Sequence, residues 1–552
     1  MPVERRPPRP SMSARASASL RRSVLLRRLS VIARDMHGRN VPNHWSNMFG
    51  VVTVACVIVV TISGLFLMFF YTPSGTLVHY HGSYVPLADA TVSKAFESTL
   101  HISFDVPGGL LLRQVHHWSA LLLPAAIIMQ LLATFFTGAF RRPRRGSWLL
   151  LFLIFIVALV GGWSGYALPD DMLSGTGLRI VEGIVLGIPV VGTWLSAFVF
   201  GGEFPGQIIE HLYPIHIVIV PAALIVLIAL RAAVGYAHKP PQFAGPGRTE
   251  QNVVGLPMLP NAAVRAGGLM LIVTGLLFLV SSLVTISPVW LYGPSSPSDA
   301  SAGSQPDWYT GFLDGALRLV PPGWEFVWLD RTWTIAVVIP LVVVGVFFTV
   351  IALYPFIEAW ITGDTREHHI LDRPRNTPTR TGIGVAGMTF YAATWGAGST
   401  DLVATHFNLG VEGVIGFFQF LVIAGPVIAF FVTRRVCIGL EKKDRDLLLH
   451  GYETGRIVRM PGGEYVEVHK QLDEYERWRL IDVAEYEPLK LRPDERGVVR
   501  PTQRLRAVLS RFFFEDRLGP IDRQELERPD TEDDQLHNTQ PDRRPAGVGG
   551  TR

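Results

Sequence analysis

A chain of 552 residues that is 49% hydrophobic, with a mean hydropathy of +0.29, is too apolar for an ordinary soluble enzyme and too long for one small domain. Its net charge of +4 comes largely from arginines flanking apolar runs, which excludes a nucleic-acid reading and points to membrane topology. The fold class that follows is an all-α membrane protein.

Residues 1–48 read as a basic cytoplasmic arm, ten of whose first 39 residues are arginine. Ser23 to Leu26 is too short an apolar core for a signal peptide, so the arm is a basic surface helix or a disordered segment. Eight apolar stretches of about 20 residues follow, several of them without a charge, each long enough to cross a hydrocarbon core of about 30 Å as a helix. They fall near 49–71, 118–140, 148–168, 212–237, 262–287, 333–357, 383–405 and 412–433. The first four make an N-terminal four-helix bundle, 49–238. Between its third and fourth spans, Ile184 to Phe200 is apolar but broken by Gly187, Pro189 and Gly192, and is read as helices lying against the outer face, with a ninth span as the alternative.

A Pro/Gly-rich linker, 239–261, separates the halves. Residues 262–435 form a C-terminal four-helix half with a long outer loop, Ser287 to Arg331, and 436–552 form a cytoplasmic tail, partly disordered from Arg523 onward. Basic residues follow the second span (Arg141, Arg142, Arg144, Arg145), close the fourth (Arg231, His238, Lys239) and follow the eighth (Arg434, Arg435, Lys442, Lys443), which puts both termini inside. Cys56 lies mid-span and Cys437 at a membrane edge, too far apart to pair.

His116 and His216 stand near the starts of the second and fourth spans. Positions 14 or 15 apart on a helix share a face and lie about 21 to 22 Å apart, so two facing helices with histidine at both depths can hold two haems. At the outer depth His116 and His216 make a bis-imidazole site for iron. Gly64 and Gly165 on the neighbouring spans would let a flat macrocycle approach the backbone, and Arg113, one turn before His116, would pair with a propionate. A single histidine at a span end is as often an interfacial polar residue; the pair with its glycines and arginine favours a haem. His117 points about 100° away and is a packing or hydrogen-bonding residue.

One step down the same helices stand Gln130 and Arg231. Glutamine offers a weak amide oxygen and arginine no lone pair, so neither replaces an imidazole. Gly50 keeps the inner position on the first span, but its counterpart on the third, 14 residues before Gly165, is Leu151, whose side chain would intrude on a macrocycle. A shifted register fails, because no histidine occurs from Trp118 to Arg145 or from Ile217 to Ala237. His44, His238, His368 and His369 lie outside the spans and would have to reach in. Arg231 has a plain alternative as a basic anchor snorkelling to the inner surface. The expectation is one haem b at the outer face and none at the inner.

Several motifs carry a resemblance. Arg113-Gln114-Val115-His116-His117-Trp118, Phe135-Phe136-Thr137-Gly138-Ala139-Phe140-Arg141-Arg142-Pro143, Gly165-Tyr166-Ala167-Leu168-Pro169-Asp170-Asp171, Pro246-Gly247-Arg248-Thr249-Glu250 and Pro306-Asp307-Trp308-Tyr309 together resemble the cytochrome b subunit of the actinobacterial-type cytochrome bc1 complex, quinol:cytochrome c oxidoreductase. The last motif has Asp where the family has Glu. The resemblance implies quinol (menaquinol among the candidates) as substrate, oxidised near the outer face in a cell membrane. One electron would pass to a Rieske iron-sulfur subunit and the other to the outer haem. It also implies a c-type cytochrome subunit, a dimeric complex and a terminal oxidase as a further candidate partner.

Within that resemblance Asp307 takes the place of the carboxylate that accepts a quinol proton, with an ordinary loop aspartate as its alternative. Tyr309 is a quinol contact or an interfacial aromatic, and Trp308 is structural. Two functions remain open: a respiratory electron-transfer subunit, or a non-catalytic paralogue with a structural or assembly role. An unrelated transporter does not explain the histidine pair.

Overall fold

The computed structural model describes residues 24–202, 204–299, 305–480, 487–491 and 499–515. The start of the basic arm and the end of the tail, including everything from Arg523, lie outside the described residues. The described part of the arm is a helix, α1 (Val24–Gly38).

The first half contains α2 (Met48–Leu67), α3 (Lys94–Phe104), α4 (Gly109–Phe136), α5 (Arg145–Ala167), α6 (Met172–Leu186), α7 (Gly192–Phe200) and α8 (Ile208–Ala237). Helices α2, α4, α5 and α8 are long and apolar enough to cross a membrane, and they pack in a closed ring, α2 on α4, α4 on α5, α5 on α8 and α8 on α2. With lipid outside, no hydrophobic force draws apolar helices together, so the ring is held by close packing. Cys56, Leu123, Ile127, Phe155 and Leu224 fill its centre. Ile184 to Phe200 forms the last turn of α6, a break at Gly187 to Val191, and α7, and neither helix is long enough to be a further span.

In the second half, α9 (Ala263–Leu283) packs on α2 and α4. The loop after it is more ordered than its composition suggests: it carries α10 (Gly311–Arg318) and a hairpin pairing Glu325–Trp328 with Arg331–Thr334. Helix α11 (Ile335–Thr362) leans on α5, and α12 (Pro378–Ala397) packs along α14 (Val411–His450).

Seven helices of the described residues meet the length and hydropathy of a span. The remaining stretch expected to span, 383–405, is displaced. It starts earlier, as α12, and breaks at Gly398 before a short α13 (Thr400–Phe407). Helix α12 is rich in Thr and Gly, and it buries its first residues, Pro378 to Gly382, and the Ala393–Thr394 turn against neighbouring helices. The last span runs unbroken to His450, past the expected start of the tail.

The linker is tied down. Gln242 and Phe243 pair in parallel with Ile370 and Leu371, and the Gln242 amide bonds the carbonyls of Thr249 and Asn252. The two halves are joined by a buried charge network. Arg380 makes a two-pronged bond to Glu358 (2.8 and 2.6 Å) and a third to Asp372 (2.6 Å), while Arg141, in the α4–α5 turn, takes the other Asp372 oxygen at 2.8 Å. Arg380, Glu358, Asp372 and Arg141 are all almost wholly removed from solvent. Replacing Arg380 by Met would strand the buried Glu358 carboxylate and leave Asp372 to Arg141 alone. The expected outcome is a loss of about 3–5 kcal/mol of stability, read as a lowered unfolding temperature of the detergent-solubilised protein.

Candidate functional site

His116 of α4 and His216 of α8 face each other across the bundle, their ring centroids 6.0 Å apart. Metal–imidazole bonds are about 2 Å long, so a metal between the two rings would hold them at about this separation. His216 sits in a π-helical turn, Ile215–Ile219, between Pro214 and Pro221. A proline has no N–H for the regular ladder, and π-turns of this kind re-aim a single side chain.

The surroundings fix which ring nitrogen is bare. Ser63 donates its hydroxyl to the Val59 carbonyl (2.6 Å), so at 3.0 Å from His116 Nδ1 it can only accept. His216 Nδ1 lies 3.1 Å from the Gly161 carbonyl, an obligate acceptor, and 3.1 Å from Ser164 Oγ. Both Nδ1 atoms therefore carry the proton, and both Nε2 atoms keep the lone pair a metal needs.

The glycines are required by contact. A Cβ on Gly64 would come within 3.1 Å of the His116 ring and one on Gly165 within 2.5 Å of the His216 ring. Arg113 is buried; its Nη2 bonds the Ser287 carbonyl at 2.9 Å and its Nε has no partner, a donor left for an acidic group in the cavity. Two bare imidazole nitrogens, a glycine-lined cradle and an unused buried guanidinium N–H fit a haem with propionates.

The histidines open into a cavity of about 240 Å³ whose lining also includes Arg113, His117, Tyr166, Asp307 and Tyr309. Asp307 is held on both oxygens. Tyr309 donates its hydroxyl at 2.8 Å, and His117 Nε2 lies 3.2 Å from each oxygen. Tyr309 is fully buried against Gly162, where a Cβ would come within 2.5 Å of its ring, and burial with the neighbouring carboxylate holds its phenol well above the ordinary range. Ser63, Ser164 and Gly162 are site residues that the sequence did not single out, whereas His117, read there as a packing or hydrogen-bonding residue, bonds Asp307.

At the opposite end of the same helices Gln130 and Arg231 also meet. Turned with its oxygen toward the guanidinium, the Gln130 amide accepts from Arg231 Nη1 at 3.2 Å and Nη2 at 3.0 Å. Arg231 therefore does not snorkel to the surface as its position near a span end suggests. It points into the bundle, with its Nε buried and unpartnered. Gly50 faces Gln130, its virtual Cβ 3.0 Å from the amide, and Leu151 is fully buried.

The other histidines near this end are engaged elsewhere. The His44 ring packs, tilted, on Phe243 with centroids 4.1 Å apart, His238 bonds the Val234 carbonyl, His368 pairs with Asp364 at 2.9 Å, and His369 lies beside Arg144 and Glu367.

Residues 121–294 match the family described as Cytochrome b(N-terminal)/b6/petB. The chain is 47% identical over 479 residues to a cytochrome bc1 complex cytochrome b subunit of Streptomyces coelicolor, covering 86% of this chain and 88% of that one. It is 43% identical over 445 residues to the subunit of the same name from Mycobacterium leprae, covering 80% of each. Among solved structures it is similar in fold to a chain of a hyperthermophilic respiratory Complex III, with a TM-score of 0.57 and 18% identity over 76% of this chain and 99% of that one.

On the rim of the cavity, Asp170 follows Pro169 in a left-handed conformation (φ 51°). Burial, with Asp171 and Glu210 adding to it, pushes its carboxyl up to about 6 against the pull of Ser93 and Ser295. The folded chain thus binds this proton more tightly than the unfolded chain, whose value is near 3.8. Well below pH 3.8 the group is neutral in both states; from about 3.8 to 6 its ionisation increasingly costs the folded state, and the cost persists above. Asp170→Asn, which tolerates the same backbone, is expected to raise the unfolding temperature at pH 7.5 and to have a much smaller effect at pH 4, as followed by thermal denaturation at both values.

Proposed function

The chain belongs to the cytochrome b subunits of the cytochrome bc1 complex, and from that premise we propose that it is an electron-transfer subunit with one b haem, at the His116–His216 end, and none at the other. The observation that carries this is the single cavity shared by His116, His216, Asp307 and Tyr309. A histidine pair suited to a redox cofactor and a single carboxylate in mostly apolar walls line the same space, which supports this reading. On this reading that end of the bundle is the outer face, both termini are cytoplasmic, and the partners are a Rieske iron-sulfur subunit and a c-type cytochrome, in a dimeric complex that feeds a terminal oxidase.

Haem b supplies a one-electron acceptor beside the quinol. His116 and His216 would hold it through Nε2, with Ser63, Gly161 and Ser164 fixing the rings. Asp307 accepts a proton from the quinol hydroxyl, a role served by its place in a largely apolar cavity. Tyr309 and His117 hold its carboxylate in one orientation, so no reorganisation is needed when the proton arrives. The apolar walls exclude water. The Gln130–Arg231 bridge and Leu151 occupy the region where a second haem would lie, so the subunit has no relay to the inner surface.

That same bridge favours a second reading, a paralogue with a structural or assembly role. Quinol-driven reduction decides between them. The proposal expects reduced quinol to bleach the oxidised b-type spectrum of the purified complex, and Asp307→Asn to slow that step by roughly 10² to 10⁴ while haem content is unchanged. A b-type spectrum that quinol leaves untouched contradicts the proposal and favours the structural role. His116→Ala and His216→Ala should each abolish haem binding; haem retained in both would overturn the assigned site. The triple variant Gln130→His, Arg231→His, Leu151→Gly removes the bridge and the intruding side chain, and pyridine haemochrome analysis is expected to show haem per chain rising from one to two.

A further inference from the structure

A second cavity, of about 690 Å³, opens at the Gln130–Arg231 end of the bundle, between the start of α2, the last turns of α4 and the loops that carry Arg248 and Arg373. We propose that it binds the phosphate-bearing headgroup of an anionic phospholipid, with an acyl chain lying along α4.

Charge makes the first part of the case. Arg248, Arg373 and Arg479 line the cavity, and no carboxylate does among the described lining residues. Arg373 shares Asp444 with Arg375, both at 2.9 Å, so one carboxylate serves two guanidiniums. The Nη1 of Arg373 is buried and has no partner. Arg248 spends Nη1 on the Phe243 carbonyl at 3.2 Å, which supplies no negative charge. A buried guanidinium N–H without an acceptor is costly, and a phosphate oxyanion is the acceptor that fits guanidinium geometry.

The walls decide what carries the phosphate. Met129 and Phe136 of α4 and Phe49 of α2 form an apolar side, and Met129, 44% exposed, continues it onto the lipid-facing surface. Trp45 stands exposed at the rim, where indole rings mark the membrane–water interface. A free phosphate would satisfy the arginines and leave this wall unused. A neutral quinone would use the wall and bring no negative charge to Arg248 and Arg479, nor an acceptor to the free N–H of Arg373. Basic pockets between helices at a membrane surface take anionic headgroups by this combination of charge and depth.

The test uses the full chain in its purified complex, delipidated in neutral detergent, with dioleoyl phosphatidylglycerol, dioleoyl phosphatidylcholine, inorganic phosphate and a short-chain quinone as probes, and binding read by native mass spectrometry. Phosphatidylglycerol is expected to bind at least about 10-fold more tightly than phosphatidylcholine. Arg248→Gln combined with Arg479→Gln leaves the Arg373–Asp444 pair intact. It should weaken phosphatidylglycerol binding by about 25-fold, roughly 5-fold for each charge removed, without changing phosphatidylcholine binding. An unchanged b-type spectrum in that variant shows that the bundle has folded. Equal phosphatidylglycerol affinity in variant and parent overturns the proposal. So does inorganic phosphate binding as tightly as the lipid, which would make the site one for a free anion, or displacement of the lipid by the quinone.

Discussion

A guanidinium does not give up its proton inside a membrane protein, so wherever the chain places Arg231 it must bring an acceptor with it. The acceptor is Gln130, on the facing helix at the same depth, and the bond between them closes one end of the α4–α8 pair. Among the described residues no carboxylate pairs with Arg231, so a net charge sits within the bundle on one amide oxygen. On the proposed reading this bridge stands where two imidazoles and a haem would otherwise lie, and leaves redox chemistry to the other half of the bundle.

The other half of the same two helices is built in the opposite way. Small residues stand where Gln130 has Leu151 and a bare guanidinium for company: glycines at 64, 165 and 162, and serines at 63 and 164. Each glycine makes room for one ring, and each serine holds one Nδ1. The result is a pair of facing imidazoles whose Nε2 atoms keep their lone pairs, lining a cavity whose single carboxylate is already oriented by a tyrosine and a histidine. One helix pair therefore has a rigid, prepared end and a plugged end.

Much of this was legible in the sequence. The histidine pair, the glycines and the loss of histidine at 130 and 231 follow from helical spacing alone, and the halves, linker and long outer loop follow from hydropathy and Pro/Gly content. What spacing does not show is direction. Arg231 near a span end looks like a surface anchor, and only the facing helix reveals that it turns inward. His117 and Asp307 are 190 residues apart, so their bond is a product of the fold and not of any local pattern. Hydropathy finds the 383–405 span but misplaces its start, because the first turns of α12 are polar, Thr- and Gly-rich, and α12 packs on α10 and α14. The serines at 63 and 164 are hidden for a related reason: a hydroxyl in an apolar helix ordinarily bonds its own i−4 carbonyl, as Ser63 does, and nothing local marks it as also serving a ring on another helix.

The central claim is that this subunit keeps one electron relay and has lost the other by filling its place. Haem counting on the purified protein, with haem iron measured against chain concentration by amino-acid analysis, addresses it most directly. The account predicts one b haem per chain; two per chain would contradict it.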